Sequence, residues 1–162
     1  MKSSSNITKG GIIAALYVVL TLLSSAAGLS SGPVQLRISE ALCILPCFTP
    51  AAIPGLFLGC LLSNLLTGGV VLDVVFGSLA TLAGAIGTRL LRNKRFACVL
   101  PPVLVNTVVI PLVLKTAYGL EDAYLYLLLT VGAGEILSAG VLGLLLRKLI
   151  IRNPGIKTFI EK

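Results

Sequence analysis

Six apolar stretches, cut apart by proline, glycine and clusters of charge, decide what this chain can fold into. They run over residues 9–29, 36–48, 54–66, 72–91, 96–116 and 123–149. A helix that crosses the hydrocarbon layer needs about 20 apolar residues, so stretches 36–48 and 54–66 are short for full spans. Pro46, Pro50 and Pro54 lie at their junction. A tight turn inside the protein is expected there, because irregular backbone survives at membrane depth only when protein shields it. Six such segments use almost all of the 162 residues. The pattern predicts an all-α membrane protein, a bundle of six transmembrane helices forming one domain over residues 1–162.

Composition agrees and narrows the chemistry. Hydrophobic residues make up 56% and charged residues 12%, against roughly 25% charged in a soluble domain, and the mean hydropathy is +1.03. A soluble globular protein is excluded. Histidine is absent, which removes histidine general bases, Ser-His-Asp triads and the usual histidine metal sites. No nucleophile and base can be paired from the remaining inventory, so the chain is not expected to be an enzyme. There is also no G-x-x-x-x-G-K-[ST] segment to bind ATP, so uphill transport would draw on an ion gradient or on a partner. Cys43, Cys47, Cys60 and Cys98 show no zinc spacing. They read as small apolar fillers, and neither a metal nor a cofactor is expected.

The positions of the charges carry more than their number. With the N-terminus inside and six crossings, the inner segments hold Lys2 and Lys9, then Arg89, Arg92, Lys94 and Arg95, then Arg147, Lys148, Arg152, Lys157 and Lys162, eleven of thirteen basic residues. Only Arg37 and Lys115 fall outside. This bias predicts a multi-pass protein of the cell membrane with both termini in the cytoplasm. It also explains the net charge of +7 without a nucleic-acid partner, since the basic residues sit at helix ends. The first stretch, with Lys2, Lys9 and small residues near Ser24, imitates a signal peptide; the charge pattern works with that helix kept as an uncleaved anchor. Among the acids, Glu40, Asp73, Glu121, Asp122 and Glu135 gather in the outer half.

Ionisable groups inside a membrane helix are costly and mark sites by default. Glu135 stands about twelve residues into the last helix, on the order of 18 Å from its outer end, among Gly132, Gly134, Ser138 and Gly140. Asn106 reaches a similar depth from the other direction, and its amide can both donate and accept. Asn64 and Asp73 bracket an outer turn containing Thr67, Gly68 and Gly69, where they are either solvated caps or ligand contacts. Arg37 and Glu40, three apart, either pair with each other or together present a donor and an acceptor, beneath a loop Ser30-Ser31-Gly32-Pro33 placed to fold over an outward pocket. In the first helix, Gly10 and Gly11 each precede an alanine by four residues, Ala14 and Ala15. Such small-residue pairs allow close helix packing, either internal or with a partner.

These features together resemble an S-component, the substrate-binding subunit of energy-coupling factor (ECF) transporters. Within that group the runs Val34-Gln35-Leu36-Arg37-Ile38-Ser39-Glu40-Ala41-Leu42 and Gly77-Ser78-Leu79-Ala80-Thr81-Leu82 are similar to the QueT family, over residues 7–147. The resemblance implies capture of a queuosine precursor, a 7-deazaguanine, at the outer face. It also implies docking on a transmembrane coupling subunit that carries two cytoplasmic ATPases, and toppling within the bilayer to release the ligand inside. Gly10, Gly11, Ala14 and Ala15 would then form the coupling face. Arg37, Glu40, Asn64, Asp73, Asn106 and Glu135 are the candidate substrate contacts, with Tyr17, Tyr124 or Phe76 available to stack on the ring. The alternatives are an S-component for another vitamin, a self-sufficient transporter coupled to protons through Glu135, and a membrane scaffold with no ligand.

Overall fold

The computed structural model describes residues 2–29, 34–119 and 122–161, so the expected loop at 30–33 and Glu121 lie outside the described residues. Every regular element among the described residues is a helix, with no strand. In chain order they form α1 (Lys2–Ala26), a 3₁₀ segment (Ile38–Cys47), α2 (Ala52–Leu66), α3 (Val71–Leu90), a 3₁₀ turn (Ala97–Val99) and α4 (Leu100–Ala117). A single rod follows, made of α5 (Tyr124–Glu135), a π-helical segment (Ile136–Leu142) and α6 (Gly143–Arg152), and the short α7 (Pro154–Glu161) ends the described chain.

Four segments are long and apolar enough to cross a membrane: Ser5–Ala26, Val71–Leu90, Ala97–Ala117 and Tyr124–Arg152. Their outward faces are apolar, with Leu90 78%, Leu129 62% and Leu104 60% exposed. A soluble monomer does not tolerate so extensive an exposed apolar surface, and the protein is a multi-pass membrane protein. The two short stretches became the two shorter helices Ile38–Cys47 and Ala52–Leu66.

The first of these departs from the expected α-helix. Wound as a 3₁₀ helix, its ten residues rise about 2.0 Å each and so reach about 20 Å, where an α-helix would reach about 15 Å. It runs through the middle of the protein, with every residue from Ser39 to Pro46 buried, and packs against α1, α3, α6 and the π-helical segment. Both of its ends are tied. The Ile38 N–H donates to Ser24 Oγ near the end of α1 at 3.0 Å. At the other end the Arg89 guanidinium donates to the Pro46 carbonyl at 3.0 Å, which answers carbonyls that a helix end leaves open.

Around this column the neighbours approach closely where they are small. A Cβ on Gly55 would lie 2.7 Å from the Gly10 carbonyl oxygen, and one on Gly59 3.0 Å from that of Ala14, so α1 and α2 pack backbone to backbone. The same holds for α3 and α4, where Gly84 and Gly87 face Pro102 and Pro101. The start and end of the described chain meet, because the buried Lys9 ammonium donates to the Ile160 carbonyl at 3.3 Å.

Candidate functional site

Four of the six candidate contacts line one small internal cavity. Arg37 and Glu40 enter from the start of the 3₁₀ segment, Asn106 from α4 and Glu135 from the end of α5, and Gln35, Gly77, Thr81, Ile110 and Val131 complete the wall. Arg37 and Glu40 do not bond each other. Glu40 is 2% exposed and fully engaged: one carboxylate oxygen accepts from the Tyr17 hydroxyl, the other from the Cys43 thiol at 3.1 Å and from Asn106 Nδ2 at 3.5 Å. Cys43 is packed in the apolar core, and its thiol also serves as a donor to this carboxylate.

Across the cavity the polar groups are not satisfied. Glu135 is 8% and Asn106 3% exposed, yet Glu135 Oε2 and Asn106 Oδ1 are both shut from solvent without a hydrogen-bond partner. An orphaned buried acceptor costs roughly 1–3 kcal/mol. Two of them on the wall of one cavity make a site that lacks donors. Glu135 is also the last α-helical residue before the π-helical turn, and such turns recur at functional sites because they redirect side chains within a helix.

The segment at Gln35 is held against α5 by the closest glycine approach among the described residues. A Cβ on Gly134 would lie 2.2 Å from the Gln35 carbonyl oxygen and 3.1 Å from its carbon, so only glycine lets residues 35–37 lie against α5. This contact holds the segment from which Gln35 and Arg37 line the cavity that Glu135 also lines. The free space is about 20 Å³, enough for about one water molecule and far below the ~300 Å³ of an ordinary small-molecule pocket.

Asn64 and Asp73 form a second ring and do not line the cavity. Asn64 is fully buried and accepts from Arg37 Nη1 at 3.4 Å, while its Nδ2 donates to the Asp73 carbonyl at 3.4 Å. They are therefore not solvated caps. The turn that joins them closes with Gly68 at φ 77, a left-handed conformation suited to glycine. Asp73 Oδ2 accepts from the Tyr118 hydroxyl at 3.1 Å. Burial, and then the Asp73 carboxylate, hold that hydroxyl above the ordinary tyrosine range, so it remains a donor.

None of the expected stacking aromatics lines the cavity. Tyr17 is spent on Glu40, Tyr124 donates to the Val108 carbonyl at 3.1 Å, and Phe76 is 47% exposed on the outer surface. The flat walls are Ile110 and Val131 instead. Sequence reasoning missed Thr81 and Gln35, which look like ordinary helix and loop residues. On α1 the two small-residue pairs separate: Gly10 and Ala14 are buried against α2, whereas Gly11 and Ala15 are exposed. Beside them a groove of about 320 Å³ is lined by Asn6, Ile7, Pro54 and Leu58 along with the glycines.

A family model described as QueT transporter matches residues 7–152. The queuosine precursor transporter QueT of Lactococcus lactis subsp. cremoris (strain MG1363) is 42% identical over 71 residues, which cover 44% of this chain and 41% of that protein. The match therefore spans about two fifths of the relative's length. No solved structure matches the chain. The family match runs from α1 to the end of α6 and takes in every cavity-lining residue, and the chain belongs to the QueT transporter family.

Proposed function

We propose that the chain is the substrate-binding S-component of an ECF importer and that the cavity between the 3₁₀ segment, α4 and α5 takes a queuosine precursor, a 7-deazaguanine such as 7-aminomethyl-7-deazaguanine or queuine. The observation that carries this reading is the pair of orphaned acceptors, Glu135 Oε2 and Asn106 Oδ1. A deazaguanine presents adjacent ring and amino N–H donors to them and a carbonyl to the Arg37 guanidinium. With Glu40 and Glu135 on the wall and Arg37 the one cation lining it among the described residues, the site suits a ligand with a cationic arm. Ile110 and Val131 supply the apolar faces. Asn64 and Asp73 act through Arg37, fixing the angle at which it meets the ligand.

Ring binding requires the wall to open, since the free space is about 20 Å³. On this reading Gly11 and Ala15 face the coupling subunit, with Gly10 and Ala14 seating α1 on α2. ATP hydrolysis belongs to two partner ATPases, and the docked subunit topples to release its ligand inside. The test is calorimetry on the purified protein with 7-aminomethyl-7-deazaguanine, queuine, guanine, riboflavin, thiamine and biotin. Saturable binding of a deazaguanine with little response to the others is expected. Binding of a flavin or thiamine and of no deazaguanine would sink the substrate assignment.

A further inference from the structure

A further, larger pocket flanks the C-terminal part of α6. It has a volume of about 730 Å³ and lies between the loop before α4 and the outer face of α6. Among the described residues four cations line it, Arg95, Arg147, Lys148 and Arg152, and no acid does. Lys148 and Arg152 are four apart on α6 and so share a face. Arg95 is held from the loop side, its guanidinium carbon 5.3 Å from the centre of the Phe96 ring.

Two properties point to a ligand. The first is an incompletely met cation: the Arg147 guanidinium reaches the Cys47 thiol on its inner side, yet its Nε is shut from solvent with no hydrogen-bond partner, a costly arrangement for a charged group. The second is the two-part lining. Val141, Leu145 and Ile151 continue the pocket along the helix rod, and each is 46–51% exposed. A cationic head over an apolar slope that faces the hydrocarbon matches an amphiphile whose polar end is anionic. A small free anion would use only the head, and a soluble acidic peptide would leave the slope uncovered.

We propose that this pocket binds the phosphate headgroup of an anionic membrane phospholipid, with its acyl chains along Val141, Leu145 and Ile151. The lipid phosphate gives the Arg147 guanidinium an anionic partner and offsets part of the repulsion among four like charges. Because α6 continues the rod that carries Glu135, the bound lipid also braces the far end of the element that holds the substrate site.

The test uses the purified full-length protein in a neutral detergent, with phosphatidylglycerol or phosphatidylcholine of identical acyl chains added in steps. Thermal shift and native mass spectrometry read the response. Phosphatidylglycerol is expected to raise the melting temperature and persist as a single adduct, and phosphatidylcholine to do neither. The variant Arg147→Gln/Lys148→Gln should weaken phosphatidylglycerol binding by roughly 30-fold, the effect of two lost interfacial charges. Arg95→Gln/Arg152→Gln, at exposed positions that do not support the core, should do the same. Arg92→Gln/Lys94→Gln, equal in charge but outside the lining, should bind as the parent does. Equal response to both lipids, equal loss in the Arg92/Lys94 control, or unchanged binding in the Arg95/Arg152 variant would overturn the proposal. So would full displacement by inorganic phosphate or glycerol 1-phosphate, which would assign the pocket to a free anion.

Discussion

Replacing Gly134 with alanine tests the architecture of the proposed substrate site through one methyl group. The added Cβ would lie 2.2 Å from the Gln35 carbonyl oxygen, and restoring ordinary contact requires a backbone shift of about 1 Å. Neither side can yield through a flexible side chain, because the clash is with main chain. Overpacking of this kind costs about 1–3 kcal/mol. Gln35 and Arg37 ride on the displaced segment and both line the cavity, so ligand affinity should fall by roughly 5- to 150-fold if the strain is borne by the bound form. Calorimetry with 7-aminomethyl-7-deazaguanine and a thermal melt of the ligand-free protein measure the two effects. Gly132→Ala is the matched control: its Cβ meets only the tip of Thr107, 3.1 Å away, so a small rotation relieves it. Should Gly134→Ala bind and melt like the parent, or Gly132→Ala lose as much affinity, the 35–37 segment does not define the site.

Glu135→Gln keeps the size of the side chain but turns one acceptor oxygen into a donor, and deazaguanine affinity should drop by about ten- to a hundredfold with little change in melting temperature; isothermal titration decides. Tyr17→Phe leaves a Glu40 oxygen without its hydroxyl donor and should destabilise the protein by about 1–3 kcal/mol, read from denaturation with and without ligand. Gly11→Leu projects into open space, so ligand affinity should be unchanged while uptake in the presence of the coupling subunit and ATPases is lost; unimpaired uptake would remove Gly11 from the coupling face. Purified protein alone in liposomes under a pH gradient should accumulate no deazaguanine, and accumulation abolished by Glu135→Gln would favour the proton-coupled alternative.

Much of the site was legible because polar side chains at membrane depth are few and costly. Arg37, Glu40, Asn106 and Glu135 stand out from an apolar background, and the fold brings all four to one cavity. Asn64 and Asp73 looked like turn residues of either kind, and only the packing of α2 against α3 shows them buried. The apolar stretches located most helix ends to within three residues, but missed the first seven residues of α1 and the whole of α7, and they did not show the winding, since 3₁₀, α and π helices draw on the same apolar residues. On α1, Gly10 and Gly11 are the same residue type one position apart, roughly 100° around the helix. Which of them faces inward is decided by Gly55 and Gly59, far away in sequence. Gly134 gave no warning of Gln35 for the same reason.

The central 3₁₀ column has a consequence for how the protein is made. Its ten residues are too short and too enclosed to settle in lipid as an independent span. The column needs α1 and α3 on one side and the rod Tyr124–Arg152 on the other before it has a seat. On a ribosome α1 and α3 emerge early, whereas the rod comes last, long after Glu40 has left the exit tunnel. Even the nearest partner across the cavity, Asn106, follows Glu40 by 66 residues. Seating of the column is therefore expected to close late in biogenesis, and a nascent chain halted before residue 124 lacks Glu135, the second acid of the cavity wall.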